Sequence, residues 1–96
     1  MIQLDVVLKD LSGAAVKDGE KEVTLASVIC AACINVLRGD DEMPSGEKLA
    51  LYRIAQAAVK GGEQEITLEH RVLIKDRVRR MYSTLIYGQV HDLLEP

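Results

Sequence analysis

Apolar and polar residues alternate along the start of the chain. The apolar members of this alternation are Ile2, Leu4, Val6 and Leu8. A period of two is typical of a strand with one buried face. Turn residues follow at 10–13 and 17–20, and the second turn contains the hairpin dipeptide Asp18-Gly19. We therefore expect residues 1–23 to form a β-hairpin or a three-stranded meander. It must pack on helices, because a lone hairpin is only marginally stable in water.

One short sequence motif occurs twice and predicts the start of two helices. Residues 22–25, Glu-Val-Thr-Leu, match residues 65–68, Glu-Ile-Thr-Leu. In both copies the threonine stands at an N-cap position, and apolar residues at helical spacing follow it. These signals predict helices over about 25–37 and 68–81.

The first of these helices is apolar on nearly every side. Its apolar residues are Leu25, Val28, Ile29, Ala31, Ala32, Ile34, Val36 and Leu37. Such a helix is central to a fold or lies in a subunit interface. Because a chain of this size can hardly cover every face of it, we expect a homo-oligomer, most simply a two-fold dimer.

A third helix is predicted between Ser45, a favourable N-cap, and the pair Gly61-Gly62. Its spacing predicts one buried stripe and one face in water. The predicted buried residues are Leu51, Ile54, Ala55, Ala58 and Val59. The residues predicted to face water are Lys48, Arg53, Gln56 and Lys60.

The last segment runs to Leu94 and contains Gly88, which weakens a helix by about 1 kcal/mol relative to alanine. The pattern leaves open whether residues 68–95 form one helix or two. A break near Ser83 is favoured, because a short globular chain gains by folding back on itself.

Length and composition further restrict the number of domains and the fold class. The 96 residues form one domain, 1–96, with a hairpin region at 1–23 and a helical region at 24–96. A hydrophobic content of 48% argues against a disordered chain, and the absence of Phe and Trp leaves few platforms for stacking bases. The fold class expected is α+β, mostly α, with an N-terminal β-hairpin packed on three or four helices.

The net charge of −3 disfavours wholesale binding to nucleic acid or to membrane surfaces. No segment approaches the length of a membrane span, and the N-terminus lacks the pattern of a signal peptide. Two cysteines close together suit a reducing compartment. We therefore expect a cytoplasmic protein.

Cys30 and Cys33 form a C-x-x-C pair inside the first predicted helix rather than at its start, where a dipole would activate a thiol. Packing as small hydrophobes is the expected role, with a metal or redox role as the alternatives. His70 and His91 are the histidines available to complete a zinc site, with carboxylates as the fallback, and no motif links them to a nucleophile. We expect no enzyme activity, no cofactor and no metal.

A basic cluster on the third predicted helix is the candidate site for a partner. Arg71, Lys75 and Arg79 follow one another at four-residue spacing, so they share a helix face, and Arg77 and Arg80 are expected to widen it. Three interpretations remain open: a solvated face paired to the chain's own acids, a docking surface for an acidic protein, or a surface for nucleic-acid phosphates. Arginine suits carboxylates and phosphates alike.

The chain also resembles small proteins encoded by tailed bacteriophages and prophages. The resemblance lies in residues 8–13 (Leu-Lys-Asp-Leu-Ser-Gly), 47–55, 66–69, 73–75 and 82–90 (Tyr-Ser-Thr-Leu-Ile-Tyr-Gly-Gln-Val). It implies a virus-encoded accessory protein in the host cytoplasm and contains no catalytic motif.

The function predicted from the sequence is therefore non-catalytic protein–protein interaction, as an assembly chaperone or as a modulator of a host protein. The partner is expected to be a second copy, a phage protein or a host protein. The alternative is nucleic-acid binding through the basic face of the 68–81 helix. A module that depends on zinc or on thiols at Cys30 and Cys33 is a third, weaker possibility.

Overall fold

The computed structural model describes residues 1–95. Helices α1 (Leu25–Ile34), α2 (Ser45–Lys60), α3 (Leu68–Met81) and α4 (Thr84–Leu94) account for most of them. The strands are β1 (Ile2–Gln3), β2 (Lys17–Asp18), β3 (Lys21–Glu22) and β4 (Glu63–Gln64), and a 3₁₀ turn spans Asp40–Glu42. The predicted class, α+β and mostly α with an N-terminal β-hairpin packed on three or four helices, is confirmed, and residues 1–95 contain four helices.

The N-terminal region contains one hairpin, and residues 7–9 pair with the chain on either side of it through two antiparallel bridges, Val7 with Thr24 and Lys9 with Ala15. Strands β2 and β3 pair antiparallel around the Asp18-Gly19 turn, where Gly19 takes a positive φ of 66°. Strand β1 does not join them. It pairs antiparallel with β4, with Ile2 opposite Gln64. The first strand is thus held by the segment between α2 and α3, some sixty residues later in the chain.

Both predicted threonine caps are confirmed. The Thr24 hydroxyl oxygen accepts a bond from the Ser27 amide at 3.1 Å, and the Ser27 hydroxyl accepts one from the Thr24 amide at 3.0 Å. Thr67 accepts a bond from the His70 amide at 3.2 Å. Each cap satisfies an amide that a helix start leaves without a partner.

Two predicted helix bounds are wrong. Helix α1 ends at Ile34, not at Leu37, because Asn35 is extended and both its backbone and side-chain nitrogens donate to the Ala31 carbonyl. Helix α2 begins at Ser45, so Pro44 holds the N-cap position that the sequence assigned to Ser45, and Pro44 makes no side-chain cap.

The break predicted near Ser83 is confirmed. Tyr82 and Ser83 are both extended, and α4 turns back against α3. This reversal buries the apolar side of each helix. The buried apolar residues are Ile74 and Val78 of α3 and Ile86, Val90 and Leu94 of α4.

Helix α1 forms the centre of the core, with α2 and α3 packed on its sides. The N-terminal segment crosses its first turn, where the Leu25 and Ala26 amides donate to the carbonyls of Val6 and Leu4 at 2.9 Å. Only Ser27 and Ile34 of its ten residues are exposed. One copy of the chain therefore covers this helix, which removes the reason for expecting an oligomer. Self-association itself stays a prediction.

No helix within residues 1–95 combines the length and the apolar character that crossing a bilayer requires.

Candidate functional site

Arg77 of α3 is buried, so the prediction that it widens an exposed basic face is wrong. The residue is only 2% exposed. The guanidinium forms a bidentate ion pair with Asp40, with Nη1–Oδ1 at 2.9 Å and Nη2–Oδ2 at 3.1 Å. Its Nε and Nη2 also donate to the carbonyls of Ala32 and Asn35, each at 2.5 Å.

These contacts tie three elements together. The carbonyls lie at the end of α1, where a helix leaves acceptors without partners, and a cation is favourable there. Asp40 belongs to the loop before α2 and also accepts a bond from the Leu37 amide at 2.7 Å. We call Arg77, Asp40 and the carbonyls of Ala32 and Asn35 the arginine clasp.

The clasp also sets the charge of Asp40. The hydrogen bonds from Arg77, and then the one from the Leu37 amide, lower the pKa of Asp40 to about 2. At neutral pH, the site therefore contains an ionised carboxylate and a guanidinium that neutralise each other. Neither group is free to bind an external charge.

The pKa of Asp40 predicts an acid dependence of stability. Because the folded state lowers this pKa from its ordinary value of 3.8, the clasp contributes its full stability above about pH 4, and this contribution falls as the pH drops toward 2. Urea unfolding midpoints measured from pH 6 to pH 2 test this. We expect Asp40→Asn to flatten the decline between pH 4 and pH 2. Parallel curves for the two proteins would contradict a role of this carboxylate.

The other four predicted basic residues are exposed or half-buried but engaged within the chain. Lys75 pairs with Glu95. Arg79 and Arg80 both pair with Asp76, at 2.8 and 3.1 Å. These contacts lower the pKa values of both carboxylates. The hydrogen bond from Arg79 is the largest cause for Asp76, and the hydrogen bond from Lys75 is the largest cause for Glu95.

Arg71 makes no ion pair within residues 1–95, but its Nε donates to the Ile66 carbonyl at 3.0 Å. The exposed face of α3 also includes Leu68 and Val72. Of the three interpretations of the basic cluster, these contacts favour pairing to the chain's own acids. Arg77 and Lys75 each have a carboxylate partner of their own. Arg79 and Arg80 share the single carboxylate of Asp76.

The two cysteines and two histidines do not form one site. Cys33 is buried, and burial raises the pKa of its thiol to about 12. Cys30 is half-buried on the same helix. His70 lies on the wall of a groove of about 200 Å³ near the start of α3, and His91 contacts Asp92 on α4. Within residues 1–95, no three side chains of the types that bind metals are grouped together.

The thiol of Cys33 is expected to be inert in the folded protein. At neutral pH a thiol with a pKa of about 12 is almost entirely protonated, and the thiolate is the reactive form. We expect Cys33 to react with a disulfide reagent such as DTNB only after unfolding in urea. The Cys30→Ala, Cys33→Ala variant should fold with a loss of at most a few kcal/mol, and a chelator should leave the melting temperature unchanged. Stoichiometric zinc in the purified protein would contradict this.

The outward side of α2 carries an apolar stripe that faces water. Leu49 and Tyr52 are both 53% exposed, and Val59 is 76% exposed. The prediction that Val59 is buried is therefore wrong. Residues 49, 52, 56 and 59 recur at three- and four-residue spacing, so they lie along one side of the helix. We call Leu49, Tyr52 and Val59 the α2 stripe.

Three cations border this stripe: Lys48, Arg53 and Lys60. None of them forms an ion pair with any residue from 1 to 95. Arg53 instead lies over the ring of Tyr52, 5.6 Å from its centre, and donates to Gln56. The one acid of this helix, Glu47, is half-buried.

A groove of about 520 Å³ adjoins the stripe. It lies between the end of α1, the following loop and the first half of α2. Ile34 and Val36, both exposed, form part of its lining with Met43. Lys48 and Tyr52 border it on the side of α2. The stripe and the groove are therefore one continuous surface.

Sequence reasoning missed this surface, although a signal for it exists. Leu49, Tyr52 and Val59 form a second apolar stripe beside the buried one, and three cations surround it. The position of Arg77 was also signalled. It follows Ile74 by three residues, which places it on the buried side of α3, away from Lys75.

Comparisons of the chain with protein-family models, with curated proteins and with solved structures found no match in any of the three. The function is therefore inferred from this surface.

Proposed function

We propose that the protein acts without catalysis, by binding another protein through the α2 stripe and the adjoining groove. One observation carries the proposal: exposed apolar residues share one side of α2 with cations that form no ion pair within residues 1–95. Apolar area supplies most of the binding energy of a protein interface, and charges at its rim guide association and orientation.

The chemistry of the groove supports a binding role. The titratable groups in its lining are Cys33, Asp40, Asp41, Lys48, Tyr52 and Arg77. The thiol of Cys33 is protonated at neutral pH, and Asp40 and Arg77 are engaged with each other in the clasp. Asp41 and Lys48 form no ion pair within residues 1–95. A partner that binds in the groove therefore contacts the apolar side chains of Ile34, Val36 and Tyr52.

The resemblance to proteins of tailed bacteriophages supports the class of partner proposed. We infer that the partner is a phage or host protein in the cytoplasm, and that the role is that of an assembly chaperone or of a modulator of host activity. A small domain with one binding surface suits either role.

Site-specific photo-crosslinking tests the proposal. A benzophenone amino acid is placed at Tyr52 or at Val59, and at Lys17 or Glu22 of the hairpin as matched exposed controls. After crosslinking in cells that express the gene naturally, mass spectrometry identifies the product, and the purified pair is then titrated. We expect one partner that crosslinks from α2 and not from the hairpin. Equal yields at all four positions would overturn the proposal.

Nucleic-acid binding through α3 is the alternative, and the internal ion pairs of Lys75, Arg79 and Arg80 count against it. Three phosphate contacts would give a log–log salt slope of about −2.7 for duplex DNA. We expect no binding to arbitrary duplex or single-stranded DNA at physiological salt, measured by fluorescence anisotropy. Submicromolar binding with that slope, abolished by charge reversal at Arg71, Lys75 and Arg79, would favour the alternative.

A further inference from the structure

We propose that the partner presents an acidic amphipathic helix that lies along α2. This inference rests on the proposed function and specifies the chemistry of the partner. The apolar side of the incoming helix packs on the α2 stripe and inserts a side chain into the groove. Its acidic residues contact Lys48, Arg53 and Lys60.

The charges on α2 suit an acidic partner. At 3.6 residues per turn, Lys48 lies on one side of the α2 stripe, and Arg53 and Lys60 lie on the other. A ligand on the stripe therefore has cations along both of its edges. Acidic residues beside an apolar seam match this arrangement, and basic residues in the same places would be repelled.

The shape of the surface suits a helix. Helix α2 has 16 residues and is therefore about 24 Å long, and the exposed apolar residues extend from Leu49 to Val59 along it. A helix that binds in this mode uses anchors at three- and four-residue spacing. Leu49 and Tyr52 are three residues apart, and Val59 follows Tyr52 by seven residues, which is about two turns, so a parallel or antiparallel helix contacts all three. A flat bilayer would leave the adjoining groove unfilled.

A second copy of the chain fits this surface less well. If two copies of α2 packed against each other in either direction, the flanks with Lys48, Arg53 and Lys60 would face the same cations. Like charges facing each other across an interface destabilise it. The net charge of −3 also shows that the basic character belongs to this face and not to the chain as a whole.

Two synthetic peptides test the proposal. Each is about three heptads long, with leucine at positions a and d and alanine elsewhere, and carries either glutamate or lysine at e and g. The like charges at e and g keep each peptide from pairing with itself. Amide spectra of the ¹⁵N-labelled protein are recorded during each titration. We expect the glutamate peptide to shift residues 48–60 and 34–36, and the lysine peptide to leave them unchanged.

Charge reversal at the three cations provides the decisive comparison. The variant Lys48→Glu, Arg53→Glu, Lys60→Glu is expected to bind the glutamate peptide at least about tenfold more weakly and to gain affinity for the lysine peptide. The matched control is Lys9→Glu, Lys17→Glu, Lys21→Glu, which makes the same change in net charge on exposed residues outside α2. The control should bind like the wild type. The spectra also report whether each variant is folded.

Several results would overturn the inference. One is equal or stronger binding of the lysine peptide, and another is a set of amide shifts confined to elements other than α2. Amide shifts on α2 that depend only on protein concentration would indicate self-association instead. A response of α2 to phosphatidylglycerol vesicles but not to the glutamate peptide would indicate a membrane surface. If the peptide fails while Tyr52 and Val59 still crosslink to one partner, only the chemistry assigned to that partner is wrong. If both fail, the proposed function fails as well.

Discussion

Replacing Arg77 with alanine is expected to destabilise the protein by about 3–5 kcal/mol, because it leaves the carboxylate of Asp40 without its counter-charge in a buried site. The change also deprives the carbonyls of Ala32 and Asn35 of a donor at the end of α1. A domain of this size has a free energy of unfolding of about 5–15 kcal/mol, so the loss is a large part of the total. Urea unfolding followed by circular dichroism measures it.

Arg79→Ala is the matched control, since it removes an arginine from the same helix whose ion pair with Asp76 is exposed. We expect it to cost about 1 kcal/mol or less. Asp40→Asn closes a double-mutant cycle. Arg77→Ala should cost less when it is combined with Asp40→Asn, because no buried carboxylate is then left unpaired. A loss at Arg77 no larger than the loss at Arg79 would contradict the role of the clasp.

Replacing Gly61 with alanine is expected to cost about 2–4 kcal/mol. Gly61 ends α2 with φ 66° and ψ −160°, a region that only glycine occupies readily. A Cβ atom there would lie 2.6 Å from Oδ1 of Asp5, while Oδ2 of the same side chain accepts a bond from the Gly62 amide at 3.0 Å. Moving Asp5 aside therefore weakens the connection between the N-terminal segment and the end of α2.

Gly88→Ala is the control, and its expected effect has the opposite sign. Gly88 lies inside α4, and a Cβ atom at this position would meet no other atom within 4 Å. We expect a gain of about 0.5–1 kcal/mol, because alanine loses less backbone entropy in a helix than glycine does. The same urea experiment measures both variants. A neutral or stabilising Gly61→Ala would show that the end of α2 is not constrained as described.

Local signals account for the parts of the fold that the sequence predicted well. Thr24 and Thr67 cap their helices through atoms three residues away, so the information lies within one turn. The break at Tyr82-Ser83 was predicted on a different ground, that a short globular chain gains by folding back, and Ser83 forms no side-chain cap. The bounds of α1 were harder to predict, because contacts from Arg77 on another helix help to end it.

Contacts between distant residues decided the candidate site. Nearness in the sequence grouped Arg77 with four other basic residues, yet its partners are Asp40 and two carbonyls about forty residues earlier in the chain. Helical spacing indicated the side of α3 on which it lies, but not that a carboxylate would meet it there. The compensation of Lys75 by Glu95 is likewise a product of the turn between α3 and α4.

Caps, turns and periodicity act over a few residues, so the amino-acid sequence was enough to predict three or four helices, a β region at the N-terminus and a single apolar core. The pairing of β1 with β4, the burial of Arg77 and the exposure of Val59 depend on how these elements pack together. Which side of a helix is covered depends on the helices packed against it, and the pattern of α2 offered two adjacent apolar sides. Packing against α1 buried one of them and left the other, with its three unpaired cations, facing water.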